Sequence, residues 1–180
     1  MLYDRFTELA KRVMVAAQDA AISLGHDFIG TEHLLLGLAC TAGTASEALR
    51  QHGLELGRAR DETARVVEAA GNATGGQAAK DALSSLGIDV AEIQRRADDS
   101  FGPGAFKFPR PAWSLGAKTA LKVSLEEATR LGQQRIDTEH LLLGVLADGE
   151  DPACRILAAL EIDITALRQT VLDSATRQAA

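Results

Sequence analysis

The sequence predicts an all-α fold of two tandem four-helix repeats in a pseudo-two-fold arrangement, with an extra helical hairpin inserted between them. Three observations predict it. First, Thr31-Glu32-His33-Leu34-Leu35-Leu36-Gly37 returns as Thr138-Glu139-His140-Leu141-Leu142-Leu143-Gly144, an offset of 107 residues (138 − 31). Carried back to Gly25 and Gly132, the two copies agree at nine of thirteen positions, which marks one structural unit built twice. Second, the residues leading into each copy place apolar side chains three and four apart, the signature of a helix with one buried face. Third, the chain is 46% hydrophobic but only 4% aromatic, an alanine- and leucine-rich composition of good helix formers.

The first repeat opens with Phe6 to Leu24, whose apolar face is Phe6, Leu9, Ala10, Val13, Ala16, Ala17, Ala20, Ala21 and Leu24. Gly25 stops it, because glycine takes the left-handed closing conformation without strain. Thr31 is placed to cap a second helix through its hydroxyl, with Glu32 in the first turn at the positive end of the dipole and the three leucines inward. Thr41 to Thr44 turns, Ser46 to His52 forms a short helix closed by Gly53, and Gly57 to Ala70 forms a charged fourth helix. The second repeat follows the same grammar. Leu115 to Leu131 ends at Gly132, Thr138 caps the leucine helix, Asp148 to Pro152 turns, and Ala153 to Leu160 and Thr165 to Ala175 complete the unit. The copies drift by one residue after the leucine helix, the mark of an indel.

Between the repeats, Gly71 to Gly76 reads as a flexible linker. Leu83-Ser84-Ser85-Leu86-Gly87-Ile88-Asp89-Val90 then resembles Leu49 to Leu56 and Leu157 to Ile164, a partial third copy consisting of the last two helices of the unit. The expectation is a helical hairpin over Ala78 to Asp99, packed on the seam between repeats. Phe101 to Pro111 holds three prolines and reads as an irregular crossover pinned by Phe101, Phe106 and Phe108. The expected organisation is therefore repeat one at 1–70, linker and hairpin at 71–111, and repeat two at 112–180.

A formal charge of −6 argues against general nucleic-acid binding, which favours a basic surface. No apolar run has the length of a membrane span and the N-terminus does not read as a signal peptide, so no membrane partner and a cytoplasmic location are expected. Cys40 and Cys154 lie outside any paired spacing and read as reduced, partly buried thiols. His26, His33, His52 and His140 lack metalloprotease spacing, and no serine elbow is present. Neither catalysis nor a metal or cofactor is expected.

The Arg5-Phe6-Thr7 opening, the Gly25-to-Gly37 block and the Thr138-to-Gly144 block together resemble the double Clp N-terminal repeat. That module fronts Clp-type unfoldases, and the likeness is to the ClpC kind. It covers roughly 3–70 and 112–175. Three departures stand out: the long Gly71-to-Pro111 insert, Trp113-Ser114-Leu115-Gly116-Ala117-Lys118 where the family has Phe-Thr-Pro-Arg-Ala-Lys, and Asp137 in place of glycine. No Gly-x-x-x-x-Gly-Lys-Ser/Thr phosphate loop occurs in the 180 residues. With the atypical linker, this favours a stand-alone protein over a fragment.

Two sets of residues are candidates for binding. Read alone, Glu32 and Glu139 complement helix dipoles and His33 and His140 are core histidines. Neighbouring Glu and His diverge by about 100°, so one can be buried while the other faces out. The resemblance implies instead that Glu32 and Glu139 help bind a phosphorylated arginine marking a client protein, a carboxylate pairing with the guanidinium. Thr31 and Thr138 would serve the phosphoryl group, although Asp137 would repel it at the second site. The resemblance also implies a groove for peptides and cyclic-peptide antibiotics, at Tyr3, Lys11, Met14, Val15, Gln18, Trp113, Lys118 and Lys122. Trp113 is alternatively a core anchor equivalent to Phe6, and the hairpin or Phe106 could cover the groove.

The functional expectation is a non-catalytic protein-binding module, acting as adaptor, regulator or decoy for a Clp ATPase–peptidase complex and its protein clients. The alternative is a structural repeat domain that oligomerises through the hairpin, its groove degenerate or covered.

Overall fold

The first two helix starts of each repeat recur at the offset of the leucine motif, and the next two one residue later. The structure, a computed structural model, describes residues 2–70, 83–103 and 111–179. After a 3-10 turn at Leu2–Arg5 come α1 (Glu8–Ser23), β1 (Phe28–Ile29), α2 (Thr31–Cys40), α3 (Thr44–Gln51) and α4 (Leu56–Ala69). Then follow α5 (Val90–Phe101), β2 (Ala112–Trp113), α6 (Leu115–Arg130), α7 (Thr138–Val145), α8 (Pro152–Ala159) and α9 (Ile164–Ala179). Thr7 caps α1 by accepting from the Ala10 N–H, and Ser114 caps α6 by accepting from the Ala117 N–H, each at 3.1 Å. Gly25 and Gly132 close these helices at φ 75° and 71°, the left-handed geometry that glycine adopts freely.

The leucine helices α2 and α7 form the centre. Every residue from Thr31 to Leu38 and from Thr138 to Val145 is buried, which a surface helix with one wet face would not allow. Each lies close against the preceding helix through small residues. A Cβ on Gly37 would come within 2.5 Å of the Val13 carbonyl oxygen, and one on Gly144 would run into the Ala120 carbonyl. The facing surfaces of α1 and α6 are Val13, Ala17 and Ala21, and Ala117, Ala120, Ser124 and Ala128.

The repeats are interlocked, because helices three and four pack across the seam: α4 on α8, and α9 on α3. His52 Nε2 meets Thr170 Oγ1 at 2.8 Å, and Gln178 Nε2 donates to Thr44 Oγ1 at 2.7 Å. Two short parallel β contacts lock the entry of each half to the other. Ile29 pairs with Trp113, and Phe6 with Ile136. The Thr7 N–H donates to the Ile136 carbonyl at 2.9 Å, and the Ser114 N–H to the Ile29 carbonyl at 3.0 Å. Trp113 thus occupies the position of Phe6, half-buried against the core.

In the insert, the Ile88 N–H bonds to the Leu83 carbonyl at 2.9 Å. Leu54 and Ile162 make the same closing bond to Leu49 and Leu157, at 3.0 and 2.9 Å. Asp89 caps α5 through the Ala91 and Glu92 N–H groups. The expected packing of this hairpin on the seam is corrected among the described residues. None of its described side chains is buried, and Leu86 and Phe101 are 75% and 82% exposed. The seam is already filled by α3, α4, α8 and α9. The Gly71-to-Gly76 linker, the hairpin's start at Ala78, Phe106 and Phe108 lie outside the described residues.

Candidate functional site

The expectation that Thr31 and Thr138 cap their helices is corrected. Gly30 and Asp137 hold the cap positions and the threonines sit in the first turn. The capping role passes to the histidines: the Gly30 N–H donates to His33 Nδ1 and the Asp137 N–H to His140 Nδ1, each at 2.9 Å. A ring nitrogen that accepts carries no proton, so the proton of each neutral ring sits on Nε2. His33 gives it to His26 Nδ1 at 2.7 Å. His140 Nε2 is buried without a partner among the described residues, because Gln133 replaces the second histidine and donates to the Ala175 carbonyl instead. Burial, then the neighbouring His26, lowers the His33 pKa to about 3. Burial likewise lowers those of His26 and His140.

The threonine hydroxyls cross the seam. Thr31 Oγ1 accepts from the Ala153 N–H in the first turn of α8 at 3.4 Å, and Thr138 Oγ1 from the Ala45 N–H in the first turn of α3 at 3.3 Å. Each leucine helix therefore begins against the start of the other repeat's third helix, and Glu32 and Glu139 lie there. The idea that one of each Glu-His pair faces water is also corrected: Glu32 and Glu139 are 1% and 2% exposed, and both histidines are fully buried. One oxygen of each glutamate, Oε2, has no partner among the described residues. Glu32 Oε1 lies 3.7 Å from His33 Nδ1, a contact with a neutral ring and not an ion pair. Burial, opposed by its own backbone N–H and reinforced by Asp151, raises the Glu32 pKa to about 7. Burial raises that of Glu139 as well.

Glu32 lines an open pocket with Phe28, Gly30, Thr31, Ser114, Gly116, Asp151 and Pro152. Its carboxylate folds over Gly30, where a Cβ would strike it, and the Asp151 carboxylate lies over Gly116. Phe28 is stacked on His26 at 5.8 Å between centroids and set edge-on to His33 at 5.3 Å. Sequence reasoning missed Phe28, Ser114, Gly116 and Asp151. The Asp-Pro pair before α8 is legible as a helix start, but its approach to Glu32 is a long-range fact.

A second groove is lined by Tyr3, Lys11 and Val15 of the expected set, together with Glu8, Arg12, Asp19, Cys40 and Thr41. Lys11 lies over the Tyr3 ring at 5.1 Å and pairs with Glu8 at 2.9 Å. Met14, Gln18, Trp113, Lys118 and Lys122 do not line it. Met14 and Trp113 pack against the core, and Lys122 is 3.8 Å from Glu126. The cysteines differ from the expectation of two partly buried thiols: Cys40 is exposed and Cys154 buried. Burial, then Asp151 and Asp148, raises the Cys154 thiol to about 11, the opposite of an activated nucleophile. Among the described residues no group of three or more His, Cys, Asp or Glu could hold a metal, and no helix is long and apolar enough to cross a membrane.

A family model described as the Clp repeat (R) N-terminal domain matches residues 5–81 and 113–180. The chaperone protein ClpB of Oceanobacillus iheyensis is 35% identical over 172 residues, covering 96% of this chain and 17% of that protein. The negative regulator of genetic competence ClpC/MecB of Bacillus subtilis is 34% identical over 172 residues, with the same coverage of 96% and 17%. The chain thus spans about a sixth of these relatives' length (17%). The N-terminal domain of the Arabidopsis thaliana chaperone ClpD superposes with a TM-score of 0.62 at 24% identity, covering 97% of this chain and 96% of that one. The Candida albicans Hsp104 N-terminal domain does so at 0.55 and 14% identity, covering 93% and 89%. These two likenesses carry the fold.

Proposed function

The chain belongs to the Clp repeat N-terminal domain family, and on that premise we propose that it is a non-catalytic protein-binding module. It takes segments of client proteins and serves Clp proteolysis as adaptor, regulator or decoy. One observation carries this reading: a buried glutamate, Glu32, with one carboxylate oxygen unpartnered among the described residues, lines an open pocket where the two repeats meet. A buried polar atom left without a partner costs on the order of 1–3 kcal/mol. That is a sensible arrangement where a ligand's donor completes it. An arginine-type side chain is the matching anchor, phosphoarginine being the marked form the family resemblance implies. The Tyr3–Lys11–Val15 groove, with an exposed aromatic and an exposed valine, is the matching place for a cyclic peptide.

The test is a titration of wild type, Glu32→Ala with Glu139→Ala, and Lys11→Ala against an unfolded client protein, a phosphoarginine peptide and a cyclic-peptide antibiotic. Binding of the client, weakened by the glutamate substitutions, is the expected result. Indifference of every variant to every ligand would overturn the reading. It would favour the structural alternative, for which the exposed Leu86, Ile93 and Phe101 speak. Sedimentation of wild type against Phe101→Ser then decides whether the hairpin joins copies of the chain.

A further inference from the structure

We propose that the inserted hairpin pairs with the hairpin of a second copy of this chain, in the reciprocal way the two complete repeats pair with each other. The proposal gives the exposed hairpin one partner and one geometry, and it holds whether or not the repeats take clients. Three segments of the chain share one junction. Leu49, Leu83 and Leu157 each accept at their carbonyl from the N–H of Leu54, Ile88 and Ile162. Gly53, Gly87 and Glu161 make the turn between them in the left-handed region, at φ 88°, 78° and 59°. A helix then follows in each case: α4, α5 and α9. Asp89 and Asp163 cap the last two, accepting from N–H groups of the first turn.

The faces of these helices correspond too. At matching positions α4 carries Ala59, Thr63 and Val67, α9 carries Leu167, Val171 and Ala175, and α5 carries Ile93, Ala97 and Phe101. Residues four apart share one side of a helix. The first two sets are buried, whereas Ile93 and Phe101 are exposed. The molecule shows twice what covers such a face. Helix α4 lies on α8 and α9 on α3, so the mate of one such hairpin is the other.

The third hairpin is the odd one out. It has no seat within its own chain: α3 and α8 are already taken, and Ile93 in the place of the fully buried Ala59 would overpack the core. A second copy supplies an identical hairpin, and a two-fold pair lets each α5 cover the other's hairpin with the same residues. The seam gives the register. His52 Nε2 meets Thr170 Oγ1 at 2.8 Å, and the corresponding residues of the insert are Leu86 and Arg96. Leu86 therefore comes against the partner's Arg96, an apolar side chain along an apolar stem. Arg95 and Arg96 are both paired with Glu92 on their own helix, so the attraction is apolar and should persist in high salt.

The experiment is sedimentation equilibrium of the full chain, with protein raised to about 1 mM because a small interface binds weakly. Wild type should move from monomer to dimer. Ile93→Asp should associate at least about tenfold more weakly, while Ile22→Asp, which alters an exposed apolar residue of α1 instead, should behave as wild type. Both sites are exposed, so the fold should survive, and circular dichroism checks that it does. Register is read in a Cys40→Ser background, which removes the exposed native thiol. Leu86→Cys copies mixed with Arg96→Cys copies should cross-link through a short bismaleimide faster than either alone. A wild type that stays monomeric overturns the proposal, as does association that Ile93→Asp leaves unchanged. Cross-linking with no preference for the mixed pair overturns the seam-like geometry. None of these measurements involves a client, so the binding-module reading stands or falls separately.

Discussion

A glutamate with less than a fiftieth of its surface exposed, next to a histidine that accepts a backbone N–H, sets the acid–base behaviour of the centre. Glu32 is raised from the usual 4.5 to about 7 by burial, so the folded protein binds this proton more tightly than the unfolded chain does. The resulting stabilisation is complete below the unfolded value of 4.5 and is lost as pH rises towards about 7. Its size is at most about 3 kcal/mol, at roughly 1.4 kcal/mol per unit. His33 works in the other direction. Its pKa falls from 6.5 to about 3, so its contribution is full above 6.5 and is lost as pH falls, when protonation would also break the Gly30 cap. Glu32→Gln isolates the first term. The variant should gain on wild type by a few kcal/mol between pH 5 and pH 8 in denaturant unfolding, and a gap that does not change with pH would exclude the effect. Asp151, with Asp148 behind it, is the acidic group that adds to the shift. A bound cation would oppose it, so arginine-peptide affinity should rise across the same window.

At the scale of the elements, the leucine helices succeed because the chain supplies almost no bulk between them and their neighbours. Gly144→Ala puts a methyl into the Ala120 carbonyl and beside the Ser124 hydroxyl, backbone and buried side chain that have little room to give. A loss of about 1–3 kcal/mol is expected from such overpacking, read as a lower unfolding midpoint, whereas Gly57→Ala, with open space around it, should change little. The order of the helices, the glycine stops at Gly25 and Gly132 and the buried leucines were legible in the sequence, because local periodicity and turn chemistry determine them. Gly53 even has its counterpart in Glu161, a non-glycine residue at φ 59°, displaced by the one-residue drift. What was not legible depends on contacts far along the chain. Thr31 looks like a cap until Ala153 is seen to claim its hydroxyl. Glu32 looks like a surface residue until α8 covers it. Five of the eight residues expected in the peptide groove fall elsewhere, because helical spacing gives a face but not which neighbour lies against it.

For the whole molecule, the offset of 107 residues (138 − 31) describes two copies of a sequence but not two separate folding units. Each copy opens with a residue that pairs across the seam, Phe6 with Ile136 and Trp113 with Ile29. Each fourth helix packs on the other copy's third, and each leucine helix touches its counterpart. An isolated first repeat would expose the apolar surfaces of Leu49, Leu54 and Val67 that are now buried, and would strand the Ala45 N–H that Thr138 accepts. A chain of that length already buries a smaller share of its surface than a larger domain and is only marginally stable, so it cannot absorb such losses. Residues 1–70 expressed alone should therefore show little cooperative unfolding by circular dichroism. Mixing them with residues 111–180 should restore a single sharp transition, because the seam forms as readily between two pieces as within one. A cooperative transition in the isolated half would mean that its core is self-sufficient, and Glu32 would then belong to a surface that exists before the second repeat arrives.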